Sequence, residues 1–131
     1  MKLGNYFKNG VQYLPSDLKS LLEIVVAAIL THEPDFKNFE CDILDGETTS
    51  GYEGEVLETG RIILDSKKLL KYDRDVALAI VAHELAHAFC GHHLKEPVGL
   101  EFEVEADGYA KKWGFQVDKF RKVCGPPTTT W

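Results

Sequence analysis

Apolar residues recur at Leu18, Leu21, Leu22, Val25 and Ile29. That spacing of three and four puts them on one side of an α-helix and predicts a helix over 16–31. Ser16 and Asp17 stand where a cap and a first-turn acid are favoured, and Pro34 bars continuation. Over 36–65 the character changes. Glycines at 46, 51, 54 and 60 separate short runs of strand-like composition, which predicts a small sheet of three strands from Phe36–Leu44, Gly54–Glu58 and Arg61–Asp65. Thr59-Gly60 joins the last two. Because Thr at a type I′ position would need a positive φ, the expected connection is a type I turn with Gly60 left-handed in a bulge. Helical spacing returns over 73–91, where Asp73 can cap and Asp75 lies in the first turn. Val76, Ile80, Val81, Leu85 and Phe89 supply its apolar faces, and Gly91 can end it. A further helix is expected over 98–113, after Pro97 and closed by Gly114. A short one follows at Val117–Val123, then an irregular tail over 124–131 that opens Cys124-Gly125-Pro126-Pro127. The order helix, sheet, helix, helix, short helix reads as an α+β fold in a single domain over 1–131.

Composition narrows the classes. The 131 residues include 44% hydrophobic and 27% charged side chains, the balance of an ordinary globular chain and not of a disordered or fibrous one. The net charge of −6 argues against a nucleic-acid partner, which a basic face would grip by its phosphates. Lys67-Lys68 with Lys71, and Lys111-Lys112, are small groups that read as solvated faces. The longest apolar run, Ile24–Leu30, has seven residues, far short of the ~20 that span a bilayer. Met1-Lys2-Leu3-Gly4-Asn5 lacks the apolar core of a secretory signal. Three cysteines, Cys41, Cys90 and Cys124, are too few and odd in number for a disulfide scaffold. The expectation is a soluble, cytoplasmic chain with no membrane span.

The chemistry gathers on the third and fourth predicted elements. His83-Glu84-Leu85-Ala86-His87 reads H-E-x-x-H inside a strong helix. Residues four apart on a helix are neighbours on one face, so both imidazoles can converge on one zinc ion. Glu84, about 100° round the helix, borders the open side and can take a proton from water there. A catalytic zinc of this kind needs a third protein ligand and one open position. Glu101, Glu103 and Glu105 lie on the next helix, and Glu103 with Asp107 forms an i, i+4 pair. One face can thus offer a ligand from Glu103 and a second carboxylate, Asp107, to accept from the far N–H of a zinc histidine. Glu101 and Glu105 point elsewhere. His93, ten residues after His83, competes as third ligand. Its pattern wants Gly where Cys90 stands and a methionine turn, yet Met1 is the only methionine. Tyr109 is expected in the core, and His92 and His93 on an exposed loop. Cys90, one turn after His87, is expected to pack in the core.

With Phe102-Glu103-Val104-Glu105-Ala106-Asp107-Gly108-Tyr109-Ala110 following H-E-x-x-H, the chain resembles the gluzincin peptidases of the CAAX-prenyl-protease and heat-shock-protease type. Their second motif is E-x-x-x-D. The resemblance covers about 50 residues, from Asp73 to Phe120. It implies His83, His87 and Glu103 as ligands of one Zn²⁺, Glu84 as general base and acid, and Asp107 as partner of a zinc histidine. It also implies hydrolysis of a peptide or protein substrate. In size and element order the chain is similar to the minigluzincins, minimal scaffolds of the same clan. From them come two further implications: strand Arg61–Asp65 as the edge that pairs with substrate, and latency, with Cys124 or the terminal segment over the zinc. The runner-up is an ImmA/IrrE-like regulatory zinc protease. A zinc-stabilised interaction module without turnover is the non-enzymatic alternative; it would have no use for Glu84.

Overall fold

The computed structural model describes residues 2–95 and 99–128. Helix α1 runs Ser16–His32 and buries Leu18, Leu21, Leu22, Val25, Val26 and Ile29 on one face. Pro15, not Ser16, takes the cap position, and no side chain caps the helix. Pro34 then opens a 3-10 turn over Pro34–Asn38. This replaces the first half of the strand expected over Phe36–Leu44. Pro at the start of such a turn is pre-set for helical φ, and Phe36, wholly buried, stacks on Phe39 at 4.7 Å and on Tyr6 at 5.6 Å. The strands are β1 at Ile43–Asp45, β2 at Gly54–Val56 and β3 at Ile62–Leu64.

The sheet order is β1-β3-β2, with β1 parallel and β2 antiparallel to β3. The run expected to form the substrate edge, Arg61–Asp65, therefore lies at the sheet centre; its three strand residues are buried, as a strand flanked on both sides requires. The N-terminal segment covers the outer side of β1, with Lys8 N–H donating to Cys41 O, Cys41 N–H to Tyr6 O and Ile43 N–H to Asn9 O. Among the described residues, the edge left open is β2. The turn between β2 and β3 has the expected form: Gly60 N–H donates to Leu57 O, Gly60 has φ +87°, and Leu57 N–H donates to Arg61 O.

A short helix α2, Ser66–Leu69, follows β3 and was not foreseen from the sequence. Asp65 accepts from Lys68 N–H at 3.3 Å, and the Asp45 carboxylate accepts from Ser66 N–H and Oγ–H at 2.9 and 2.8 Å. Such tight capping sustains a single turn. Helix α3, Arg74–Cys90, is buried on nearly every side between α1, the sheet, α4 and α5. Asp73 stands at its cap position but makes no capping bond; its carboxylate pairs with Lys119 Nζ at 3.5 Å instead. Helix α4 spans Leu100–Lys112, two residues shorter at its start than expected, with Pro97 and Val98 outside the described residues. Helix α5 spans Val117–Cys124, taking the first residue assigned to the tail; residues 129–131 of that tail lie outside the described residues. No described helix is long and apolar enough to cross a membrane.

Candidate metal centre and active site

His83 and His87 project from the middle of α3 toward α4, and Glu103 meets them from its first turn. The contact is close because Ala82, Ala86, Ala106 and Ala110, all buried, keep the flanking surfaces small. His83 Nε2 lies 3.0 Å from His87 Nε2 and 3.0 Å from Glu103 Oε2, and His87 Nε2 lies 2.5 Å from the same oxygen. These three residues form a cluster able to hold a metal ion. Three donor atoms so near one another, two of them imidazole nitrogens and one a carboxylate oxygen, are the set that zinc takes. Two buried carboxylate oxygens beside them, Glu84 Oε1 and Glu103 Oε1, have no hydrogen-bond partner among the described residues. Buried carboxylates without donors are costly, and a cation among them removes that cost. The residues present fit a divalent metal.

His83 is held from behind. Its Nδ1–H donates to Asp107 Oδ1 at 2.7 Å, which leaves Nε2 to face the cluster. Asp107 is in turn clamped by Arg121 of α5, whose Nε–H donates to Oδ2 at 2.7 Å and Nη2–H to Oδ1 at 3.0 Å. The Phe120 ring packs edge-on against His83 at 5.7 Å. Burial opposes charge on His83, but the hydrogen bonds to Asp107 and Glu103 and the Glu84 charge outweigh it and push the imidazole up to about 9. Burial also works against ionised Glu103 and Asp107; the bonds from His83 and His87 to the one, and from His83 and Arg121 to the other, hold both below the usual carboxylate range. Glu84 lacks such donors, and burial raises it. The cluster draws positive charge to itself.

Glu84 Oε1 stands 3.9 Å from His83 Nε2, on the side of β2. Gly54 makes this approach possible. A Cβ there would lie 2.8 Å from Glu84 Cγ and 3.1 Å from Leu64 Cδ2, so any side chain would displace the carboxylate or the strand. Strand alternation sets what the open edge offers. Asp65 N–H donates to Glu53 O and Leu57 N–H to Arg61 O, so Glu53, Glu55 and Leu57 face β3. The N–H and C=O of Gly54 and Val56 then point outward, next to Glu84.

A family model for peptidase family M48 matches residues 14–103, from just before α1 through Glu103 itself. The chain belongs to peptidase family M48. It is a metallopeptidase. No curated protein and no solved structure matched the chain.

Within this M48 peptidase, other sequence-predicted residues lie outside the His83, His87 and Glu103 cluster, some of them against it. His93 sits beside the hairpin turn, where a Cβ on Gly60 would come within 3.1 Å of its Nε2, and its Nδ1 is buried. His92 is no exposed loop residue: it is 4% exposed, stacked on Phe102 at 4.5 Å, with Nδ1 2.8 Å from His87 Nδ1 and Nε2 against Glu105 Oε1. Tyr109 joins the aromatic packing with Trp113 at 5.7 Å and Phe89 at 6.3 Å, the core role expected. Cys124 Sγ lies 3.8 Å from Glu53 Oε2, among neither group of clustered metal-binding atoms. Cys90 instead falls in a second group with His92 and Glu105. Arg121, Gly54 and the His92–Glu105 pair escaped the sequence reading. A cationic residue on the last short helix was the one available hint, and it points to no partner without the fold.

Proposed function

We propose that the chain is a zinc-dependent metalloendopeptidase of the minimal gluzincin kind, with His83, His87 and Glu103 holding one Zn²⁺ and Glu84 as general base and acid. The observation that carries this is the convergence of two imidazole nitrogens and a carboxylate oxygen, within 3.0 Å of one another, beside the unpartnered Glu84 Oε1. Zinc bound there supplies Lewis acidity toward a scissile carbonyl and brings the pKa of a water molecule to ~7. Glu84 accepts the proton of the attacking water at Oε1 and returns it to the departing amine. Its burial and raised proton affinity suit a group that must both take and give a proton. Gly54 and Val56 present outward N–H and C=O groups to an extended peptide, which pairs with β2 as an added strand. Asp107 and Arg121 hold His83 in the tautomer that leaves Nε2 free.

The family match supports a peptidase over an ImmA/IrrE-like regulator, and Glu84 argues against a zinc-stabilised module without turnover. Latency is part of the proposal. The chain leaves α5 at Cys124, whose Sγ touches Glu53, the neighbour of Gly54, so the segment that follows starts near the proposed substrate edge. The test is a proteome-derived peptide library incubated with the zinc-loaded chain, with Glu84→Gln as the blank and a chain ending at Gly125 beside it. Cleavages absent from the blank, and more abundant in the shortened chain, support the peptidase and its latency. Equal products with Glu84→Gln would overturn the assignment.

A further inference from the structure

The arrangement behind His87 differs from the one behind His83. Where His83 leans on a carboxylate directly, His87 Nδ1 meets another imidazole nitrogen, His92 Nδ1, at 2.8 Å. One proton must lie between two such nitrogens, and the far side of His92 decides which ring owns it. His92 Nε2 abuts Glu105 Oε1, and an ionised carboxylate can only accept. His92 therefore carries its hydrogen on Nε2, and its Nδ1 is left with a lone pair. With a metal ion between His87 Nε2 and Glu103, His87 would carry its hydrogen on Nδ1, and the His92 Nδ1 lone pair is placed to accept it. The placement of His92 is over-determined: it opens the 3-10 turn after Gly91, is 4% exposed, and lies flat on Phe102 with an interplanar angle of 11°.

We propose that His92 and Glu105 are positioning residues that fix the tautomer and ring orientation of His87 for metal binding, a relay in which the outer carboxylate acts through a second histidine. This rests on the zinc reading above and adds to it two residues that touch neither metal nor substrate. Cys90 also brings its Sγ within 4.8 Å of the His92 and Glu105 donor atoms, which raises a second ion as the rival account. An ion on His92 Nε2 would put the hydrogen on His92 Nδ1 and force His87 to carry its own on Nε2, against the proposed metal. The relay leaves His87 competent, and it needs nothing from Cys90.

Two measurements on the full chain test it. Long-range ¹H–¹⁵N correlation spectra of the zinc-loaded protein are expected to show His92 as the Nε2–H tautomer, with the His87 hydrogen on Nδ1. Zinc affinity, measured by chelator competition, is expected to fall ~10–100-fold in His92→Phe, which keeps a ring on Phe102 but removes the acceptor. His92→Asn, with a carbonyl able to accept where Nδ1 did, is expected to recover most of that loss; Cys90→Ser is expected to change nothing. Glu105→Ala should cost less than His92→Phe, because Glu105 is half exposed and water can accept in its place. A His92 Nδ1–H tautomer in the zinc-loaded protein, undiminished zinc affinity in His92→Phe, or a second zinc equivalent lost in Cys90→Ser would each overturn the relay. Failure of the unsubstituted chain to bind zinc would instead overturn the metal reading itself.

Discussion

At the scale of single residues, Glu84 and Gly54 make one unit although 30 positions separate them in the chain. The missing Cβ of Gly54 is the space into which the Glu84 side chain fits. Gly54→Ala is expected to shift the carboxylate by some tenths of an ångström or more and to lower kcat by up to ~10²-fold, with zinc affinity little changed. Steady-state kinetics alongside chelator competition checks this; an unaltered kcat would show that the carboxylate has room to spare. The shared faces of His83 with His87 and of Glu103 with Asp107 were legible in the sequence because each pair lies within a single helix, where spacing sets the face; that the two faces belong together came from the family resemblance. Gly54, Arg121 and His92 were not legible, since their partners are fixed only when a strand, a last helix and a turn pack on α3. His92 was misjudged for a related reason. A histidine after a helix-ending glycine is ordinarily exposed, and here Phe102 of the next helix covers it.

Among elements, the three strands show where periodicity stops being informative. The hairpin β2–β3 and its Gly60 bulge followed from the turn residues, a local code. The identity of the open edge did not. That β1 lies parallel to β3, with the N-terminal segment closing its far side, depends on contacts such as Phe7 with Cys41 across more than 30 residues. The consequence is that β2, and not the Arg61–Asp65 run, is the edge proposed to pair with substrate. Val56→Pro tests this directly. It deletes an outward N–H while sparing the bonds that Glu53 and Leu57 make to β3, a substitution edge strands tolerate. The expected result is a rise in KM of up to about tenfold, the worth of one hydrogen bond, without loss of zinc affinity. An unchanged KM would place the substrate elsewhere. Helix α5 carries a similar lesson: a short segment that reads as a terminal afterthought supplies Phe120 and Arg121 to the back of His83.

Over the whole molecule, α3 is the axis on which α1, the sheet, α4 and α5 converge, and it carries Glu84 and the two imidazoles His83 and His87 within an otherwise apolar core. The fold class was legible from element order. The degree to which α3 is enclosed was not, because its alanines read equally well as a half-exposed helix. A metal bound only by the native arrangement of α3 and α4 adds to stability by mass action. At zinc a hundredfold above Kd the gain is ~2.7 kcal/mol, expected to raise Tm by roughly 5–15 °C for a chain of this size. Calorimetry with and without a chelator measures it, and coincident transitions would mean that the cluster holds no metal in the folded state.

The proposed chemistry depends on one zinc ion held by His83, His87 and Glu103. X-ray absorption at the zinc edge, on protein loaded with one equivalent, tests it most directly. Zinc held there is expected to show a shell of nitrogen and oxygen only, at ~2.0–2.2 Å, with the outer scattering of two imidazoles, lost in His87→Ala. A sulfur neighbour at ~2.3 Å would place the ion on Cys90 or Cys124 and contradict it.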